Sequence, residues 1–113
     1  MVSRVEQKIL QDLRDYLGDD YDEKQDAALL ICVRRAIRSF KNKRHYPEEY
    51  SENIIEKDMD KLYSCIFDLA LYWVGKQGVE FHKSFSGNGE SRSWDSEADV
   101  YALHNVIPIA RII

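Results

Sequence analysis

A mainly α fold, built as a small antiparallel bundle of three main helices, is predicted by three observations. Apolar residues recur every three or four positions over three long stretches of the 113-residue chain. Helix-breaking Gly and Pro number only 5 and 2, and 44% of residues are apolar, with 12% aromatic, enough to furnish a core. This length is that of one domain, which buries roughly two thirds of its unfolded surface. Residues 1–113 therefore read as a single helical domain, completed by a C-terminal β-hairpin, a short last helix and an extended apolar tail. The same composition excludes collagen-like and disordered chains.

Helical spacing of Val5, Ile9, Leu10, Leu13 and Leu17 predicts a first helix over residues 3–17, with Glu6, Lys8, Asp12 and Arg14 on the other face. Gly18 stands where a helix-ending positive φ belongs. In the acidic connection Asp19, Asp20, Tyr21 and Asp22, either Asp20 or Asp22 is available as the next N-cap. Leu29, Val33, Ala36, Ile37 and Phe40, widened by Leu30 and Cys32, predict a second helix over 23–43, covered on two sides and stopped before Pro47. Ser51 is a good N-cap for a third helix, continuous to residue 75 or 78. Its residues Ile55, Met59, Leu62, Ile66, Leu69 and Trp73 are spaced as a seam against the second helix. Tyr63, Phe67, Ala70 and Val74 form a second stripe.

Beyond Gly78 the pattern alternates, and Asn88-Gly89 between short alternating runs predicts a hairpin over 79–95 that carries Phe81, Phe85 and Trp94. Ser96 and Asp99 suggest a capping box for a short helix over 97–105. The last residues, 106–113, are β-branched and apolar, with Ile107, Ile109, Ile112 and Ile113 in view. Such an end calls for a cover, either the chain's own core or a strand edge on another chain.

Membrane insertion and secretion are not expected. The longest apolar run, 27–33, falls far short of the roughly 18 residues of a span, and early charges leave no signal-peptide core. Cys32 and Cys65 form no CxxC pair and read as buried thiols in a reducing cytoplasm. His45, His82 and His104 lack zinc-ligand spacing, the 19–26 acids lack the third ligand and Gly of a calcium loop, and Gly87-Asn88-Gly89 lacks the Lys of a phosphate loop. No metal, cofactor or enzymatic activity is therefore expected.

Charge is segregated. Residues 1–33 carry 4 basic and 8 acidic side chains, residues 34–46 carry 6 and none, and residues 47–113 carry 6 and 12. Arg34, Arg35, Arg38, Lys41, Lys43 and Arg44 thus form one basic block at the end of the second helix. Beside Phe40 and Tyr46 it could meet phosphates, as in a small helical nucleic-acid-binding regulator. Alternatively, it complements the helix dipole and pairs with the acidic first helix of the same or a neighbouring subunit. The overall acidity favours the second reading.

The order of elements resembles the small head–tail connector (adaptor) proteins of long-tailed phages and prophages, of the DNA-packaging or head-completion type. The matching features are Asp22-Glu23-Lys24-Gln25-Asp26-Ala27-Ala28-Leu29-Leu30-Ile31, the long third helix over 54–74, the Ser/Gly-rich segment 82–94 and the Pro108 tail. The resemblance implies a non-enzymatic virion protein at the head–tail junction, assembled in the host cytoplasm. It would form a ring of about a dozen subunits, using two different patches per subunit. That ring docks beneath the portal protein after packaging, extends the channel through which double-stranded DNA passes without sequence recognition, and supports a stopper or tail-completion protein. In this setting Arg34, Arg35, Arg38, Lys41 and Arg44, together with the hairpin aromatics and the tail isoleucines, are the expected interface to portal or neighbouring subunits. The segments 79–95 and 106–113 are the expected assembly arms.

Overall fold

The computed structural model describes residues 3–76 and 96–109. Helix α1 (Arg4–Leu17) begins at a capping box: Ser3 Oγ accepts from the Glu6 amide, and the Glu6 carboxylate accepts from the Ser3 amide. It ends at Gly18, whose φ of 55° permits the turn that sends its amide back to the Arg14 carbonyl. Two 3₁₀ turns follow, Gly18–Asp20 and Glu23–Gln25, the second closed by Asp22 and Gln25 in another capping box. Asp22 is thus the cap that initiates the segment, but the α-helical part of α2 (Asp26–Arg44) starts later than the periodicity predicts. His45 terminates α2 in the left-handed region, at φ 53°.

Helix α3 (Glu52–Lys61) is capped by Ser51, whose hydroxyl accepts from the Ile54 amide. The expected single long third helix is instead two. At Leu62 the backbone opens to φ −108° and ψ 26°, and α4 (Tyr63–Lys76) continues beyond it. No Gly or Pro marks the break, and the apolar spacing runs through it unchanged, so local sequence carries no sign of it. Tertiary partners coincide with it: Asp58, before the break, meets Arg44, and Tyr63, after it, donates to Asp12.

The bundle runs up, down and up. Glu6 pairs with Arg34 and Arg14 with Asp26, so α1 and α2 are antiparallel. Arg44 meets Asp58 and Arg35 lies over Trp73, so α2 opposes the α3–α4 pair in the same way. Much of the expected core forms, although Ile55, Leu62 and Trp73 of the predicted seam are only half-buried. Ile9 and Leu13 of α1, Leu29, Val33 and Phe40 of α2, and Ile66, Leu69 and Val74 of α4 are all fully buried.

Helix α5 (Glu97–His104) lies along α4 in the opposite sense: Trp73 Nε1 donates to Glu97, and His104 Nε2 lies 2.6 Å from the buried Asp68 carboxylate. Val100 is fully buried, and Tyr101 and Ser39 share a 2.6 Å hydroxyl contact. The expected Ser96 capping box does not form. Ser96 makes no side-chain cap bond, and the Asp99 amide donates to the Ser96 carbonyl instead of the hydroxyl. Asn105 turns the chain at φ 56°, and the Val106 amide returns to the Tyr101 carbonyl.

The mainly α class therefore holds. There is no strand among the described residues, and the expected hairpin, with Phe81, Phe85 and Trp94, lies outside them, as do Ile112 and Ile113.

Candidate interaction surface

The six cations of the basic block divide according to their angle around α2. Arg44 turns inward. Its Nε and Nη2 hold both Asp58 oxygens at 2.9 and 2.8 Å, and the Tyr46 hydroxyl donates to the same carboxylate at 2.6 Å. The Asp58 hydrogen bond raises the Arg44 pKa further, and the Tyr46 phenol is raised chiefly by burial and then by Asp58. This cluster stays charged on the guanidinium and protonated on the phenol at any ordinary pH.

Arg44 also anchors the tail. Its Nη1 donates to the Ile107 carbonyl and its own carbonyl accepts from the Ile109 amide, each at 2.8 Å. With Val106 buried and Ile109 half-buried, the first part of the tail belongs to its own chain, and within it Ile107 stays 65% exposed. Of the two covers expected for the tail, the chain's own core takes Val106 and part of Ile109, while residues 110–113 lie outside the described residues. A β-branched residue after a helix cap finds its nearest apolar cover in the bundle it leaves.

Of the others, Arg34, Arg35, Arg38 and Lys41 are exposed and Lys43 is half-buried. Arg34 pairs with Glu6 at 3.0 Å, a contact with the acidic first helix of its own chain. Burial works to raise the Glu6 pKa, but the Ser3 amide and the Arg34 guanidinium outweigh it and leave the carboxyl lowered. Arg35 sits 5.0 Å from the Trp73 ring centre and Lys43 sits 5.4 Å from that of Tyr101, both in cation–π range. Arg38 and Lys41 are exposed and form no ion pair among the described residues.

Ile31, Arg34, Arg38 and Lys41 follow one another at helical spacing, a stripe of about 15 Å along α2. Ile31, 49% exposed, is a member that residue type alone assigns to the core. Its position three and seven residues before Arg34 and Arg38 is the signal that could have placed it outside. Shallow hollows flank the stripe, one lined by Arg35, Arg38, Ser39, Asn42, Trp73 and Glu97, the other by Glu6, Arg34, Ile37, Arg38, Lys41 and Asn42. Both are open and lined mainly by polar and charged residues, with the form of contact surfaces more than of substrate pockets.

At the opposite end of α2 the connecting turns expose Asp19, Asp20, Asp22 and Glu23. Asp26 does not join them. It accepts from Arg14 at 2.7 Å and from the Tyr21 hydroxyl at 2.6 Å, and these two contacts hold its pKa below the usual carboxylate value.

Burial, and then the Asp68 carboxylate, push the Cys65 thiol up to about 12, so it is inert as a nucleophile. Among the described residues no group of three His, Cys, Asp or Glu could hold a metal ion, and no helix is long and apolar enough to cross a membrane. No protein-family model, curated protein or solved structure matches this chain.

Proposed function

We propose that this chain is a structural subunit of a phage or prophage head–tail connector. Subunits form a ring that docks beneath the portal, prolongs the DNA channel and offers a platform to a stopper or tail-completion protein. The observation that carries the reading is an exposed cation stripe, Arg34 to Lys41, on a domain whose described helices already close their own core. A surface so charged, set apart from an equally exposed acidic turn, suits assembly with like subunits better than solitary existence in solution. The acidity of the rest of the chain suits a channel wall past which DNA must slide without being gripped.

The test is the mass of the chain in solution, alone and with a portal assembly. A ring-sized complex on portal, larger than any assembly the chain forms alone, is the expected result, and a chain that ignores portal at every concentration overturns the reading. Removing residues 110–113 spares the Arg44 contacts to Ile107 and Ile109, so the truncated protein should fold and lose portal docking. Undiminished docking would exclude the tail end as an assembly arm.

A small nucleic-acid-binding regulator is the second reading, favoured by the same exposure of Arg38 and Lys41. Duplex DNA affinity at two salt concentrations separates the two. Tight binding with a steep salt slope, abolished by neutralising Arg34, Arg35 and Arg38, belongs to the regulator.

A further inference from the structure

We propose that the cation stripe of α2 docks on the acidic turn of a second copy of this chain, head to tail. The inference rests on the connector reading for its biological setting, but its chemistry stands on three features of one helix. First, Arg38 and Lys41 are exposed without an ion pair among the described residues, and Arg35 is held against Trp73 in the adjoining hollow. Second, Asp19, Asp20, Asp22 and Glu23 are all exposed at the start of the same helix. Lys24 beyond them reduces the negative sign without reversing it.

Third, the two patches cannot meet within one chain. The rigid helix from Asp26 to Arg38 holds them about 18 Å apart, well beyond the Debye length of about 8 Å at physiological salt. The cations that could have been drawn into the fold, Arg14 and Arg44, are already engaged by Asp26 and Asp58, which leaves the outer members of both clusters for a partner. Two different patches on one subunit make a heterologous contact, which closes into a ring when the rotation between neighbours allows it and otherwise extends as a filament.

The experiment is a charge swap in the full chain, read by sedimentation velocity at low and high salt. One variant carries Arg38→Glu and Lys41→Glu; the other carries Asp19→Lys, Asp20→Lys and Glu23→Lys, leaving the Asp22 cap intact. Wild type should self-associate with concentration and dissociate with salt. Each variant alone should associate about tenfold more weakly or worse, with circular dichroism confirming a folded chain. An equimolar mixture should recover wild-type association, because each reversed patch now meets its complement.

A wild type that remains monomeric across the concentration range, a variant that associates like wild type, or a mixture without recovery each overturns the proposal. Duplex DNA binding lost in the Arg38→Glu, Lys41→Glu variant, in a wild type that does not self-associate, overturns it in favour of nucleic acid. Recovery in the mixture supports head-to-tail pairing whatever portal does. Failure to bind portal alongside that recovery removes the connector reading alone.

Discussion

Arg38 and Arg44 stand six residues apart on α2, about 120° apart around its axis, and this angle separates two kinds of chemistry. Arg44 is fixed on both oxygens of Asp58, shares that carboxylate with Tyr46 and holds the tail by the Ile107 carbonyl. Arg38 faces water between two shallow hollows and has no ion pair among the described residues. A run of like charges in a sequence is therefore not one functional unit. The inward members serve the fold, and only the outward ones are available to a partner.

Substitutions on the two faces of α2 should differ sharply. The largest loss is expected from Phe40→Ala, which empties a fully buried position between α2 and its neighbours; about 3–5 kcal/mol should be lost in urea unfolding. A loss under about 1 kcal/mol would contradict the placement of this face in the core. Asp58→Ala should follow, at about 2–3 kcal/mol, because it leaves a largely buried guanidinium and a phenol without their shared acceptor. Hydrogen exchange at the Ile109 amide, bonded to the Arg44 carbonyl, should quicken in that variant. Unchanged protection there would show that the tail does not depend on the cluster.

Acid should expose a smaller difference. Arg14 and the Tyr21 hydroxyl lower the Asp26 pKa, and the Ser3 amide and Arg34 outweigh burial to lower that of Glu6. Both carboxylates therefore contribute stability that is complete above their unfolded values, near pH 4, and is lost as pH falls through the lowered folded values. Asp26→Asn should accordingly give a shallower fall in stability between about pH 4 and pH 2 than wild type, followed by urea midpoints across that range. Identical slopes would mean that the Arg14 contact does not persist in solution.

The smallest effect belongs to the outward face. Arg38→Ala and Lys41→Ala should stay within about 0.5 kcal/mol of wild type in the same unfolding assay. A loss above about 1 kcal/mol in either would mean that the stripe serves the fold and is not reserved for a partner.

Much of this architecture is legible in residue spacing. Ser3, Gly18, Asp22 and Ser51 act at the helix ends where their chemistry places them, because caps depend on groups within one turn. The stripes Val5-Ile9-Leu13 and Leu29-Val33-Phe40 reach the core for the same reason: period and burial are properties of one helix. The Leu62 break escapes such reading, since Asp12, Asp58, Tyr63 and Arg44 come from separate parts of the chain. The Ser96 cap is absent although its residue types fit, the Asp99 amide donating to the Ser96 carbonyl in place of the hydroxyl.

The candidate surface was only half visible. The basic block stands out as a run, but nothing local distinguishes Arg44 from Arg38, or assigns Ile31 to the surface, until α3 and α4 take one side of α2.

By itself, then, the sequence determined the helical class, most helix ends, much of the core and the segregation of charge, because each follows from periodicity or from contacts within a few residues. Only the tertiary structure decided which cations face inward, where the third helix divides, and that Val106 to Ile109 return to the Arg44 end of α2. Those outcomes depend on pairs such as Arg44–Ile107 and Asp12–Tyr63, 63 and 51 residues apart in the chain, whose meeting no local propensity encodes.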